Sequence, residues 1–419
     1  MASLARVGIA RLGYNNLTKQ LCKVTAGNVT QVAFITRKAK RVNIRPKIRP
    51  YDYMNKSYTM WDQLFDPMID RLDDNSKVIV VEGPPTVGKA KFAQKLADEL
   101  EMIYLPPPTF DEYYITPYGY DLRTLDHKLS PGAQSCDLEK FLKDPFHVNV
   151  PMFQFHYFQL KYDQYITAML HLLSTGQGIV LNRSFYTNFV YAKAMMNAGY
   201  MRPEALRFHN EVVEIAEAAV MRPHLIIYLD LPVNVIKERI KKRAIPYEVN
   251  SKVLTTEYLT DVEDVYKQDY LRREMTHSHV LIYDWTQEGD ITYVIDDIEE
   301  LNFEEYDLKG KMSEWIFENV QQLRIKRTYF QDRFYLHKDY YYIDFNVIEL
   351  AYSPEEAKEQ TELYMTVPGE KYDKGFNEVD KGILFKAAFP PVFTSIRNHP
   401  RDVEVLREEF KKLKAIAKF

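Results

Sequence analysis

The feature that most constrains this chain is Gly83-Pro84-Pro85-Thr86-Val87-Gly88-Lys89, a G-x-x-x-x-G-K spacing. It lies between a short β-branched run, Val78 to Val81, and a stretch in which Phe92, Leu96 and Leu100 recur every four residues. That order predicts strand, loop and amphipathic helix. In such a setting backbone amides and a helix N-terminus hold phosphate oxygens while the lysine reaches the outer phosphates. The spacing alone would arise by chance in roughly one chain in ten of this length, so the strand-to-helix context carries the reading. Gly83, Thr86, Gly88 and Lys89 are the candidate nucleotide-binding residues here. The loop is also degraded. Ala90 stands where a Ser or Thr hydroxyl would meet Mg²⁺, and Pro84 and Pro85 remove two amide donors.

Around the loop the pattern alternates. Met102 to Leu105, Gly178 to Leu181, Leu225 to Leu229 and Val280 to Tyr283 read as buried strands. Met152 to Ser174, Arg202 to Ala219, Val233 to Arg243 and Glu257 to Thr276 read as helices. The alternation predicts an α/β fold, a parallel sheet with helices on both faces. The expected division is a leader and basic tail over residues 1–45, an extended or helical segment over 46–76, the α/β domain over 77–299, and a helical or irregular C-terminal extension over 300–419. The Pro- and Tyr-rich stretch from Pro106 to Pro151 reads as an insertion over the carboxyl edge of the sheet or a lid.

The net charge of −4 hides an asymmetry. Residues 1–51 hold eleven Lys or Arg and no acid, leaving 44 bases against 59 acids in the rest. Arg6, Arg11, Lys19 and Lys23 are spaced among Leu4, Val7, Ile9 and Leu12, the acid-free amphipathic pattern of a mitochondrial import leader. Cleavage is expected within the first 45 residues, and Arg37 to Arg49 is expected to form an extended tail. A nucleic-acid role for the basic end is opposed by the acidity of the remainder. No apolar run approaches the roughly 18 residues of a membrane span. Cys22 and Cys136 cannot build a disulfide framework or a zinc site, and His277 and His279 have no partners at ligand spacing and read as surface or helix-end residues.

Beyond the loop, Tyr228 to Arg243 (YLDLPVNVIKERIKKR), Glu257-Tyr258-Leu259, Phe158-Gln159 and Asn182-Arg183-Ser184 resemble the strand, lid entry, following helix, base-reading glutamine and acid-Arg-Ser motif of the deoxyribonucleoside kinase family. The resemblance covers about Lys77 to Asp284 and implies a P-loop nucleoside-kinase-like fold. It adds Gln159, Arg183, Arg239 and Arg243 to the candidate nucleotide-binding residues. With the basic presequence, the degraded loop and the long extension, the fuller match is similar to the kinase-like accessory subunits of mitochondrial respiratory complex I. That likeness implies other complex I subunits as partners, a peripheral position on the matrix side of the membrane arm, and no nucleic acid. It associates FAD with the family, but no G-x-G-x-x-G supports a flavin here; the expected ligand is a tightly bound nucleotide, ATP or a deoxynucleotide.

Phosphoryl transfer to a sugar hydroxyl needs a carboxylate near that hydroxyl, metal ligands and cations along the phosphates. Here the stretch that would carry the base is Leu105-Pro106-Pro107-Pro108, the acid of the acid-Arg-Ser motif is Asn182, and Ile245 with Pro246-Tyr247 replaces another Arg and acids. No catalytic or metal residue is therefore assigned, and Asp111, Glu112 or Asp230 are the remaining carboxylates that could substitute. The reading is a non-catalytic accessory subunit supporting NADH-to-ubiquinone electron transfer; the alternative is an active mitochondrial deoxynucleoside kinase. Past Glu300, Met312 to Lys326 reads as one amphipathic helix, the aromatics from Phe334 to Phe345 as either a protein contact or local packing over the sheet, and Pro400 to Phe419 as a terminal helix docking on its own domain or a partner. The aromatics between Phe153 and Tyr165 read as core.

Overall fold

The computed structural model describes residues 35–41, 48–116, 118–303, 310–332, 336–337, 347–372 and 400–416. Five strands form one parallel sheet: β1 (Val78–Glu82), β2 (Ile103–Leu105), β3 (Ile179–Asn182), β4 (Leu225–Asp230) and β5 (His279–Asp284), in the order β2-β3-β1-β4-β5. Each of the five strand expectations falls within about a residue of its strand. The reason is burial on both faces, which makes a parallel strand an unbroken apolar run. β1 illustrates it: Val78 and Val80 enter the core on one face, Ile79 and Val81 the core on the other. Each such side chain contributes about 1.5–3 kcal/mol relative to exposure.

Among the described residues, fourteen α-helices lie along the chain as far as Gln331: α1 (Met60–Phe65), α2 (Met68–Arg71), α3 (Lys89–Leu100), α4 (Asp111–Tyr114), α5 (Leu138–Lys143), α6 (Val150–Thr175), α7 (Asn188–Asn197), α8 (Pro203–Ala219), α9 (Val233–Arg243), α10 (Pro246–Val249), α11 (Thr256–Val265), α12 (Leu271–Glu274), α13 (Ile291–Glu299) and α14 (Val320–Gln331). α3, α9 and α13 cover one face of the sheet. The other face is covered by α6, which is buried along most of its length and starts on Pro151 in its first turn, where the missing amide costs nothing. The expected helix Glu257 to Thr276 runs to Glu274, with Tyr266–Tyr270 forming a π turn between α11 and α12 and Met275 and Thr276 in the turn that follows. Phe153, Phe158, Tyr162 and Tyr165 are core residues.

Three expectations change. Met312 to Lys326 is not one helix: Met312 adopts φ +60°, a 3-10 turn spans Ser313–Trp315, and α14 begins only at Val320 behind its Asn319 cap. The Met312 amide is bound to the His277 carbonyl and the Trp315 indole to the Arg222 carbonyl, so contacts to the core break the helical path. His279 is not at a helix end but opens β5, half-buried beside Phe303. The described part of the basic tail is folded rather than extended. Ile35 is fully buried, Thr36 and Asn75 exchange hydrogen bonds, Arg37 pairs with Glu299 and Asp296, and Arg41 pairs with Glu101 and Asp73.

The described parts of the extension share the main core. Leu323, Phe330, Leu350, Leu406 and Phe410 all belong to it, so the terminal helix Pro400–Ile416 docks on its own chain, with Phe410 edge-on to Tyr53. The cluster Phe334, Tyr335, Tyr340 to Tyr342 and Phe345, like Cys22 and the leader, lies outside the described residues.

The docked arm bounds any processing. We expect N-terminal sequencing of the mature protein to place its start before Ile35. A chain beginning at residue 46 should lose about 1.5–3 kcal/mol of unfolding free energy from Ile35 alone, read by chemical denaturation. A mature start beyond Arg41 would contradict this.

Candidate functional site

The site forms where β1 runs into α3. Gly83 is required there because a Cβ would come within 2.5 Å of the Leu229 carbonyl oxygen, and Gly88 caps α3 at φ +97°. Thr86 also sits at positive φ, and its hydroxyl is buried with no partner. Lys89 folds back over the loop, donating to the carbonyls of Gly83 (2.9 Å) and Pro84 (2.6 Å). Burial, and after it the Arg183 charge, pull the Lys89 ammonium down to about 7, with Arg243 pushing the same way and Glu82 opposing.

Glu82, the last residue of β1, is fully buried and accepts hydrogen bonds from the Ser184 amide (2.9 Å), the Ser184 hydroxyl (3.2 Å) and the Tyr266 hydroxyl (3.3 Å). Arg183 stands at φ +65° just after β3, its guanidinium 4.0 Å from the Tyr191 ring centre, and its Nε and Nη2 are buried without a hydrogen-bond partner. Burial works against its charge, but Tyr191, Tyr266, Tyr157 and Glu82 outweigh that and hold its pKa raised. A third cation, Lys161 of α6, is fully buried and donates to the Ser184 carbonyl at 3.3 Å. Burial first, then Arg183, push it well below the ordinary lysine value, with Lys89 adding to the effect. Lys89, Lys161 and Arg183 therefore share one buried field, in which Glu82 is the compensating charge.

Sequence reasoning missed Lys161 and misplaced the glutamine. Gln154, Tyr157, Lys161 and Gln164 recur at intervals of three and four along α6 and share its inward face. Gln154 donates to the Asn188 carbonyl at 2.9 Å, and Gln164 to that of Pro106 at 2.6 Å. The Lys161 ammonium stands 4.9 Å from the centre of the Tyr157 ring and donates to the Ser184 carbonyl next to Arg183, which puts that face in the cleft. Gln159 is two residues from Lys161, roughly 160° around the helix, so the structure does not bring it to the cleft. The available signal was a polar stripe, with a lysine, through an apolar helix.

The two lid arginines are engaged with protein groups. Arg239 donates to the carbonyls of Val87 (3.3 Å), Trp285 (3.0 Å) and Thr286 (2.9 Å), bracing the phosphate loop from α9. Arg243 forks onto Glu248 of α10, while its charge still reaches Lys89. Gly83, Thr86, Gly88, Lys89 and Arg183 are brought together.

The groups that would organise metal and base are not. β2 ends on the fully buried Leu105, and the first carboxylates after it lie on α4. Asp111 pairs with Arg123 at 2.8 Å; Glu112, buried, accepts from the Thr109 amide. Ala90 has no hydroxyl, Asn182 donates weakly to the Tyr104 hydroxyl at 3.5 Å, and Asp230 carries Lys267 at 3.0 Å. These residues do not fit a phosphate-bound Mg²⁺. A polyanion fits better, since the orphaned Thr86 hydroxyl and Arg183 guanidinium nitrogens need acceptors or donors and the cations need charge.

The deoxynucleoside kinase family model matches residues 79–321. Among curated proteins, the mitochondrial NADH dehydrogenase (ubiquinone) 1 alpha subcomplex subunit 10 of Mus musculus is 34% identical over 330 residues, covering 77% of this chain and 88% of that protein. The Bos taurus protein of the same name is 32% identical over 322 residues, covering 75% and 89%. A deoxyguanosine kinase from Dictyostelium discoideum is 25% identical over 234 residues, covering 56% and 73%.

The charge imbalance predicts opposite signs for two substitutions in the ligand-free protein. Glu82→Gln should lower stability by about 3–5 kcal/mol, the scale for stripping one partner from a buried ionic group. Lys161→Met should be neutral or stabilising. Denaturant midpoints read both, and a stabilised Glu82→Gln would refute the assignment.

Proposed function

The chain belongs to the deoxynucleoside kinase family, and from that premise we propose that it serves as a non-catalytic accessory subunit of mitochondrial complex I, its cleft kept as a structural nucleotide site. The observation that carries this is the uneven damage to the cleft. The cations Lys89, Lys161 and Arg183 are gathered, whereas Ala90, Leu105 or Pro107, and Asn182 occupy the positions of metal and base. Losing positioned acid-base help alone costs about 10²- to 10⁴-fold, and losing the metal compounds it. The similarity of three-quarters of the chain to a protein named as a complex I subunit supports the same reading. Among the described residues no helix is long and apolar enough to cross a membrane. The proposed position is therefore peripheral, on the matrix side of the membrane arm, held by other complex I subunits.

In this reading the backbone around Gly83 to Gly88 approaches the phosphates, Lys89 and Arg183 neutralise them, and Lys161 supplies charge from below without a metal. The proposed ligand is ATP or a deoxynucleotide. A bound polyanion stabilises by mass action, about 2.7 kcal/mol at a hundredfold excess over its dissociation constant.

The test is native electrophoresis of mitochondrial complexes with mass analysis, paired with a nucleoside kinase assay. The expected result is co-migration with the respiratory enzyme and no turnover above background with Mg²⁺. Turnover at ordinary kinase rates, abolished by Lys89→Ala, would establish the kinase alternative, with Glu112 the carboxylate to substitute next.

The depressed Lys89 gives a pH signature. An anion favours the charged lysine, so triphosphate binding should take up a proton and weaken as pH rises through about 7. In the ligand-free protein the sign reverses: folding disfavours the charged form, so this group's contribution to stability grows from about pH 7 towards the unfolded lysine value near 10.4. Calorimetry in buffers of different ionisation enthalpy reads the uptake, and pH-independent binding would contradict it.

A further inference from the structure

The helix α1 is folded inside out. Its large apolar side chains point away from the protein, with Met60 75% exposed, Trp61 71%, Leu64 55% and Phe65 75%. Its polar residues make the inward contacts. Asp62 accepts from the Thr59 amide and hydroxyl (both 2.7 Å) and from the Tyr51 hydroxyl (3.2 Å), and Gln63 donates to the Thr328 hydroxyl of α14 at 2.9 Å. The C-terminal carbonyls of α1 are held by one side chain of α14: Arg324 donates to those of Gln63 (3.0 Å), Leu64 (3.1 Å) and Asp66 (2.8 Å). Below it Asp66 forks with Arg71 and accepts from the Tyr58 hydroxyl, whose ring lies 3.8 Å from the buried Arg327 guanidinium.

A six-residue helix has almost no stability of its own. Here a capping box at one end, an arginine clamp at the other and a hydrogen bond from the middle fix it. The result is a rigid display of four large apolar side chains, with Trp61 and Phe65 stacked at 6.3 Å. On α14, Ile325 and Tyr329, each next in sequence to a residue that contacts α1, are 39% exposed. Scattered exposed leucines need no explanation, but a fixed aromatic cluster of this kind marks a contact surface.

We propose that the face of α1 carrying Met60, Trp61, Leu64 and Phe65 is the anchor that seats this chain in an apolar groove, with basic groups at its rim, on a neighbouring protein subunit. This rests on the accessory-subunit reading and names its surface. Charge selects the occupant. Residues 52–74 hold six Asp against Lys56 and Arg71, and Arg71 is already paired with the buried Asp66. Asp73 is paired with Arg41 and the Arg324 guanidinium is turned onto the α1 carbonyls, which among the described residues leaves Asp62 and the exposed Asp70 without an ion pair. An anionic bilayer would be repelled by that rim, and a second copy would set acid against acid. A protein groove with Lys or Arg around it satisfies both parts, and a stacked Trp-Phe pair is the kind of element that dominates binding energy.

The experiment expresses full-length wild type, Trp61→Asp with Phe65→Asp, and the control Ile348→Asp, whose side chain is exposed elsewhere on the extension, in cells lacking the endogenous protein. Native electrophoresis reads the fraction of each chain in the respiratory complex. The expected result is a loss of at least tenfold for the double variant alone, with its purified melting temperature unchanged. A conservative Trp61→Phe should restore much of the incorporation, which separates docking from a folding defect. Wild-type-like incorporation of the double variant would overturn the proposal. Binding of the purified wild type to phosphatidylcholine vesicles containing cardiolipin, or dimerisation, would also overturn it if abolished by the double substitution. Failure of the wild type itself to enter the complex would instead remove the accessory-subunit reading, and this proposal with it.

Discussion

The charge balance at the end of β1 governs the rest of the cleft. Glu82 is fully buried, and the charges of Lys89, Lys161 and Arg183 all act within its field. At an effective dielectric of 20, two unit charges 4 Å apart interact by about 4 kcal/mol, so an excess of cations is relieved by releasing protons or gaining an anion. Lys89 shows the first route, drawn down to about 7. The unpartnered nitrogens of Arg183 show the demand for the second. The tyrosines mediate between these extremes. Tyr191 lies against the Arg183 guanidinium and within 3.5 Å of Tyr266, whose hydroxyl reaches Glu82, closing a loop from cation to carboxylate. A cleft built this way suits negative charge without a metal, while among the described residues Asp111 is paired with Arg123 and Glu112 accepts from the Thr109 amide.

A second buried cation organises the other side of the molecule. Arg327 of α14 is fully buried, its guanidinium against the rings of Tyr51 and Tyr58 and bonded to Ser174 of α6 and Gln331. One side chain thereby joins the segment before the sheet, the segment after it and the long helix that runs beneath the cleft. The terminal helix adds Phe410 against Tyr53 and Glu409 to Gln177. The extension is thus packed into the core on the α6 face of the sheet, opposite the core that takes Val87 of the phosphate loop, and the outward face of α1 is presented by this framework.

Most of the framework was legible in the sequence because buried parallel strands and a loop between strand and helix leave local patterns. Val78 to Val81 and Leu225 to Leu229 are readable from their own composition. What was not legible depends on long-range contacts. The phase of α6 decides between Gln154 and Gln159, and it follows from packing against β1 and β3 rather than from the distance to Arg183. The break at Met312 comes from a hydrogen bond to His277, and the fold of Arg37 to Arg41 from acids at Asp73, Glu101, Asp296 and Glu299. Residues 60–65 fall in a stretch expected only to be extended or helical; the contacts from Arg324 and Thr328 set which side of that helix is the inner one.

The central claim is that the cleft retains cations for a structural polyanion after losing the groups for catalysis. The most direct measurement is denaturation of the purified native complex or subunit, followed by mass spectrometry of the small molecules released. The account predicts close to one nucleotide per chain, retained through chelation of divalent metals and lost in Lys89→Ala with Arg183→Ala. Absence of stoichiometric nucleotide, with no thermal shift on adding millimolar ATP or deoxynucleotides, would contradict it.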